Sequence, residues 1–247
     1  MPENIFRYKQ FSICQDHAAM KVGTDSDLLG TLAAGGNRIL DIGTGTGVLS
    51  LMLAQRCPKA EITAIEMDEN AVLDAQYNFK ESPFHDRIHL LHTTFQNYIL
   101  EHKGPLFDSI VCNPPYFDKS LVNFDLSRAR ARHSSSLPFS VLVQGSFALL
   151  EDEGVFSTNV PPEVLPILKA EAELIGFQLQ AEFQIKSVPQ KGPKRYILVY
   201  KKGHVALPKV ETYCMRNADH SRSEWYIELM KDFHVPGKGY RLEAHEI

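Results

Sequence analysis

The sequence predicts an α/β fold: a mostly parallel sheet of seven strands, with an antiparallel pair at one edge and helices on both faces. Three observations predict it. Short apolar runs alternate with helix-like segments through residues 38–113, the pattern of parallel strands joined by right-handed crossovers. The first run opens directly into the glycine-spaced turn DIGTGTG at 41–47. Two alternating segments also flank the turn sequence PQKGP at 189–193, which predicts a hairpin.

Taken in order, RILDI (38–42) is an apolar run closed by an acid and glycines, and GVLSLMLAQRC (47–57) has the apolar content of a helix packed on a sheet. EITAIEM (61–67) is the second strand. DENAVLDAQYNFKES (68–82) is a helix with Asp68 in a capping position, RIHLLHT (87–93) the third strand and FDSIVCN (107–113) the fourth. After the polar, Arg- and Ser-rich stretch 117–140, SVLVQGSFALL (140–150) is helical and GVFSTNV (154–160) is the fifth strand. EVLPILKAEAELIGF (163–177) is a helix ended by Gly176, and LQAEFQIKSV (179–188) with KRYILVYKK (194–202) form the antiparallel pair. A last amphipathic helix lies in SRSEWYIELMKDFHV (221–235), with Ser221 or Ser223 as its cap and Trp225 as its anchor. No internal repeat interrupts the chain. Residues 1–247 are expected to form one domain: an N-terminal covering segment at 1–36, a core at 37–202, and a C-terminal helix and tail at 203–247.

Composition narrows the function classes. With 247 residues, 44% of them hydrophobic, the chain can bury a full core. The net charge of −4 gives no global attraction to nucleic acid, so any such binding needs a local basic patch. Cys14, Cys57, Cys112 and Cys214 have no paired metal spacing and suit reduced thiols in a cytoplasmic protein. No leader and no membrane span is expected. His85, His89 and His92 straddle the third strand, where alternation sends them to different faces, so no metal site is expected.

The turn after the first strand carries the first chemical signal. Gly43, Gly45 and Gly47 let the backbone curve tightly and approach a ligand, while Glu66, at the carboxyl end of the next strand, is spaced to meet a ribose diol. Asp41 would face a pyrophosphate badly but suits a cationic amino acid moiety, directly or through water. A dinucleotide site and a turn that merely packs helix on strand are the competing readings. The second signal is Asn113-Pro114-Pro115-Tyr116, at the carboxyl end of the fourth strand and so beside the glycine turn. Asn113 offers a side-chain acceptor, the prolines hold carbonyls outward without amide donors, and Tyr116 offers a stacking face. An exocyclic amine could give its hydrogens to the Asn113 side chain and the Pro114 carbonyl.

These two motifs together resemble the class I S-adenosylmethionine-dependent methyltransferases, a Rossmann-like fold, over roughly residues 20–200; the motif at 113–116 is that of the amino-directed enzymes. Within that class, acceptors include adenine N6 in DNA or RNA, guanine N2 in ribosomal RNA and a protein glutamine. KVGTDSDLLG (21–30), RARARHSSSL (128–137) and HSRSEWY (220–226) resemble the bacterial tRNA adenine-N6 methyltransferases that act on the adenine 3′ of the anticodon of a valine tRNA. A low-turnover RNA-binding protein on the same fold is the alternative from another class.

The resemblance implies S-adenosyl-L-methionine as cofactor. Lys21, Gly23 and Thr24 would lie over it with Asp25 in support; Asp41, Gly43 and Gly45 would meet its methionine part, Glu66 its ribose and Met67 its adenine. Many relatives carry an acid after the third strand for the adenine amine, whereas this chain has Thr94, whose hydroxyl or a backbone group is left to serve. For tRNA, the local cations are Arg128, Arg130, Arg132 and His133 after the catalytic motif, with Lys186, Lys191, Lys194, Arg195, Lys201 and Lys202 on the hairpin, where residues 183–202 carry no acid. Phe117 and Phe124 are read as packing residues. A monomer is expected, with no membrane partner.

Overall fold

A computed structural model describes residues 4–114 and 137–235. Its main sheet has eight strands in the order β10 (Lys209–Cys214), β8 (Gln178–Lys186), β9 (Pro193–Lys201), β7 (Leu150–Val160), β6 (Phe107–Cys112), β3 (Arg38–Ile42), β4 (Glu61–Glu66) and β5 (Ile88–His92), and a separate sheet of β1 (Ile5–Arg7) and β2 (Ser12–Cys14) lies at the N-terminus. The central strands are β3, β4, β5, β6 and β7. All of these run parallel to their neighbours within that set. In β3 every residue after Arg38 is buried, as a strand covered on both faces requires.

Successive side chains feed two cores. Ile39 and Val111 pack with α1 (Thr24–Leu32), α2 (Val48–Arg56), α3 (Glu69–Lys80) and α7 (Glu224–Met230), while Leu40, Ile42, Ile110 and Cys112 pack with α4 (Phe95–Glu101), α5 (Phe139–Leu149) and α6 (Leu165–Ile175). Period-2 alternation therefore divides the helices between the faces. In α3 the buried positions Ala71, Asp74, Ala75, Asn78 and Phe79 form one stripe, and Asp68 caps the helix by accepting from the amides of Asn70 and Ala71. Ser223 caps α7, and Gly176 ends α6 at φ 103°. Trp225 anchors α7 by stacking on Tyr213, 4.4 Å between ring centroids.

All seven expected strands are present, and three features depart from expectation. β8 (Gln178–Lys186) and β9 (Pro193–Lys201) are the antiparallel hairpin, yet β8 is not the edge: β10 (Lys209–Cys214) pairs parallel outside it, in a segment read as tail. Its sequence, KVETYC, is mostly exposed or half-buried and carries no clean apolar alternation, so pairing to β8 rather than burial defines it. β7 begins at Leu150, the last residue of the expected helix and four before the expected strand, and α1 and α4 are short helices in segments assigned no structure.

The N-terminal hairpin, β1 (Ile5–Arg7) with β2 (Ser12–Cys14), packs on the α3 face through polar groups as well as apolar ones. The Tyr8 hydroxyl donates to Asp27 Oδ1 at 2.6 Å, and His234 Nε2 lies 3.2 Å from Asp27 Oδ2, so a fully buried acid on α1 joins both ends of the described chain.

Candidate active site

The carboxyl ends of β3, β4, β6 and β7 form one edge, where Ile42 is level with Ile65 and Cys112, and Cys112 with Thr158. Just past this level the chain turns through Gly43, Gly45 and Gly47, all with positive φ. The amides of Gly43 and Thr44 donate to the Ile65 carbonyl, which ties the turn to β4. A Cβ at Gly43 or Gly45 would meet nothing within 4 Å, whereas one at Gly47 would fall 2.4 Å from the Phe79 ring. The first two glycines thus leave an uncovered backbone cradle, and the third permits close packing of α3.

Asp41 is fully buried beneath that cradle. Its Oδ2 accepts from the Thr44 hydroxyl at 2.6 Å and the Ser50 hydroxyl at 2.7 Å, while Oδ1 has no partner among the described residues. Burial raises its carboxyl to about 6, opposed by the two hydroxyl hydrogen bonds. Glu66 holds the other side of the turn: Oε2 accepts from the Gly45 amide at 2.9 Å, and Oε1 from the amides of Met67 and Asp68 at 2.7 and 2.9 Å. Three of its roughly four acceptor positions are filled by backbone donors, leaving one on Oε2 beside Gly45. An unpartnered buried carboxylate oxygen under an open glycine cradle fits a ligand with one cationic end and one hydroxyl-bearing end.

Asn113 stands half-buried at the end of β6, with its Oδ1 accepting from Asn159 Nδ2 at 3.3 Å. Asn159 is itself 2% exposed on β7. Below it, burial pushes the Cys112 thiol well above its usual pKa, with the Asp41 and Glu66 carboxylates adding to the shift, so Cys112 is a packing residue and no nucleophile. Pro114 is buried. Pro115, Tyr116, Phe117, Phe124, Arg128, Arg130, Arg132 and His133 lie outside the described residues.

The N-terminal segment reaches the same edge. Asn78 on α3 accepts from the Cys14 amide and donates to the carbonyls of Cys14 and Thr46, at 2.7, 2.8 and 2.9 Å, so one side chain joins the end of β2 to the glycine turn. One turn earlier, Asp74 accepts from the amides of His17 and Ala18 and from His17 Nδ1. These brackets lead the chain to exposed Lys21, Gly23 at the start of α1 and buried Thr24. Asp25 pairs with Arg195 on β9, which commits that arginine to α1. Thr94 caps α4 by accepting from the Asn97 amide, and Met67 is 46% exposed beside Glu66.

Of the other expected cations, Lys186, Lys191 and Lys194 are at the carboxyl edge, while Lys201 pairs with Glu153 at 2.6 Å and Lys202 donates to the carbonyls of Phe147 and Leu150 at the opposite edge. Among the described residues no group of three His, Cys, Asp or Glu side chains could hold a metal. Thr44, Ser50, Asp74, Asn78 and Asn159 were not expected at the site. The one available signal was two polar residues, Asp74 and Asn78, four positions apart within the apolar stripe of α3.

A glycine cradle over a buried acid, a second acid after the next strand and an Asn-Pro end to β6, on this sheet order, define a class I S-adenosylmethionine-dependent methyltransferase. Residues 17–136 match the methyltransferase small domain family. The chain is 40% identical over 238 residues to the tRNA1(Val) (adenine(37)-N6)-methyltransferase of Bacteroides thetaiotaomicron, covering 95% of this chain and 99% of that one. It is 36% identical over 239 residues to the protein of the same name from Trichodesmium erythraeum, again over 95% and 99%. Among solved structures, a predicted O-methyltransferase from Agrobacterium tumefaciens shares the fold at TM-score 0.64 and 21% identity, over 85% of this chain and 96% of that chain. The chain belongs to the tRNA1(Val) (adenine(37)-N6)-methyltransferase family.

Proposed function

We propose that this protein methylates N6 of adenine 37 in a valine tRNA, using S-adenosyl-L-methionine. The observation that carries the reading is Asn113-Pro114 at the carboxyl end of β6, level with the glycine cradle, in a chain 40% identical to a named enzyme of this activity over 95% of its length. When bound, the cofactor supplies an electrophilic methyl group on a sulfonium.

The residues divide the work. Gly43 and Gly45 admit the cofactor's methionine part to the backbone, with the unpartnered Oδ1 of Asp41 below as the counter-charge. Glu66 keeps one acceptor for a ribose hydroxyl, and Met67 packs on the cofactor adenine. Thr94, whose oxygen already accepts from Asn97, keeps one lone pair and its hydroxyl proton to offer. Lys21, Gly23 and Thr24 cover the site from the N-terminal segment.

Adenine N6 is a poor nucleophile because its lone pair is delocalised into the ring. Asn113 Oδ1 and the Pro114 carbonyl accept its two hydrogens, which localises that pair and favours the transition state over the ground state. Asn159 occupies one lone pair of Asn113 Oδ1 and leaves the other for the substrate amine. No strong base is needed, because the proton leaves after the methyl arrives. Tyr116 stacks on the target base, which an anticodon loop can splay outward, and Arg128, Arg130, Arg132 and His133 hold the neighbouring backbone. The enzyme acts as a cytoplasmic monomer. No helix among the described residues is long and apolar enough to cross a membrane.

The test incubates the protein with labelled S-adenosylmethionine and, separately, unmodified tRNA, DNA and release factor, followed by mass spectrometry of the product. N6-methyladenosine at position 37 of valine tRNA alone is the expected result; label in DNA, in guanine or in glutamine refutes it.

A further inference from the structure

The segment HSRSEWY is not used by the catalytic site, yet the structure builds it with care. β7 is parallel to β6, β9 antiparallel to β7, β8 antiparallel to β9, and β10 parallel to β8, so β8 and β10 end at the same edge as Asn113. The register is explicit. Val160, two residues past the partner of Cys112, is level with Tyr196, Tyr196 with Gln184, and Gln184 with Thr212. Lys186 and Lys194 stand beyond that level, above the height of Pro114.

Two turns meet there. The amides of Met215 and Arg216 donate to the carbonyls of Lys186 and Ser187, which joins the chain after β10 to the β8–β9 turn. The 216–222 turn is then fixed on itself: Arg216 bridges Arg222, the Asn217 amide donates to the Ser221 carbonyl, and His220 sits at φ 65°. Ser223 donates to the Cys214 carbonyl and caps α7. The acid in the turn, Asp219, accepts from the Ser221 amide and hydroxyl, which favour its ionised form, so it stands as one carboxylate among the cations of the two turns. The ion pairs nearby, Arg195 with Asp25 and Lys209 with Glu211, leave out Lys186, Lys191, Lys194 and Arg216. A chain of net charge −4 therefore presents a rigid cationic ridge along one sheet edge.

We infer that this ridge, formed by Lys186, Lys191, Lys194 and Arg216, is a second RNA contact that binds sugar-phosphate backbone of the anticodon arm away from the target base. The inference rests on the tRNA reading above. Four strand spacings separate β6 from β10, about 19 Å, so the ridge reaches phosphates several nucleotides from the base at Asn113. Cations fixed at that distance set register and affinity and read no sequence.

The test compares Lys191→Glu/Lys194→Glu/Arg216→Glu with Lys59→Glu/Lys103→Glu, which reverses exposed charges before β4 and β6 at the opposite edge. Affinity for unmodified valine tRNA is measured from 50 to 200 mM salt, with cofactor binding as the check on folding. The ridge variant loses tenfold or more in affinity and about two to three units of salt slope, while the control stays within twofold. The Gln versions of the three ridge residues keep the result readable should the reversed variant not fold, and lose slope without added repulsion. Equal affinity and slope in wild type and both ridge variants overturn the ridge and leave the methyltransferase reading standing. A wild type that binds no tRNA overturns both.

Discussion

Replacing Asn78 by alanine tests whether one buried amide holds the N-terminal segment and the glycine turn together. Asn78 is 1% exposed and makes three hydrogen bonds, with the Cys14 amide, the Cys14 carbonyl and the Thr46 carbonyl. Truncation leaves three backbone groups without that partner. An unsatisfied buried donor costs about 1–3 kcal/mol and carbonyls somewhat less, so the loss is about 3 kcal/mol in total. For a chain of this size that lowers Tm by about 6–12 °C. Cofactor affinity falls as well, because the turn at Thr46 and the segment leading to Lys21 both lose their tether. Asn78→Asp keeps the acceptor for Cys14 but sets a carboxylate against two carbonyl oxygens, so it is at least as damaging. Differential scanning calorimetry and cofactor titration read the two effects. An Asn78→Ala protein with unchanged Tm and unchanged cofactor affinity refutes the bracket.

Other perturbations separate the site's parts. Asn113→Ala leaves cofactor affinity nearly intact and removes most methyl transfer, and unchanged turnover sinks its catalytic role. Asn159→Asp, nearly isosteric but without the donor to Asn113, lowers kcat about tenfold with cofactor affinity unchanged, the cost of roughly one hydrogen bond; a rise in KM alone contradicts the positioning role. Gly45→Ala blocks cofactor binding while costing about 1–2 kcal/mol of stability through its positive φ, whereas Gly47→Ala is the more destabilising because its Cβ meets Phe79; equal melting shifts would contradict the cradle. Asp41 has a carboxyl raised from 3.8 to about 6, so the folded state binds its proton more tightly than the unfolded one. The favourable contribution is complete below about 3.8 and is lost as pH rises to about 6, a change of about 3 kcal/mol, and a cationic cofactor binds more weakly below pH 6. Calorimetry at pH 5 and pH 7.5 checks this, and Asp41→Asn flattens both profiles.

Legibility in the sequence followed burial. β3, β4 and β6 are covered on both faces and read as apolar runs; the motif residues at their ends follow from the rule that open α/β sheets bind ligands at the carboxyl edge. Asp68, Gly176 and Ser223 were legible because caps are local chemistry. β10 was hidden because an edge strand needs no apolar alternation. Asn159 was hidden for a different reason. Its place beside Asn113 depends on β7 pairing with β6 in one register, and nothing within GVFSTNV states that register.

The basic hairpin shows how a pattern can be visible while its meaning is not. Residues 183–202 form one acid-free run in sequence, which invites a single patch. A strand separates its members. Lys194 and Lys201 are seven positions apart on β9, about 23 Å at strand rise, so they stand at opposite edges of the sheet. Lys201 meets Glu153 and Lys202 covers the carbonyl end of α5, leaving Lys194 and the β8–β9 turn at the site edge. Arg195, one residue along, is drawn to Asp25 and ties β9 to α1. Charge counted along a chain therefore overstates a binding surface by whatever the strand carries to its far end, and understates it by cations that another strand brings alongside. Here Arg216, more than twenty positions from Lys194, is the cation brought alongside, because β10 pairs with β8.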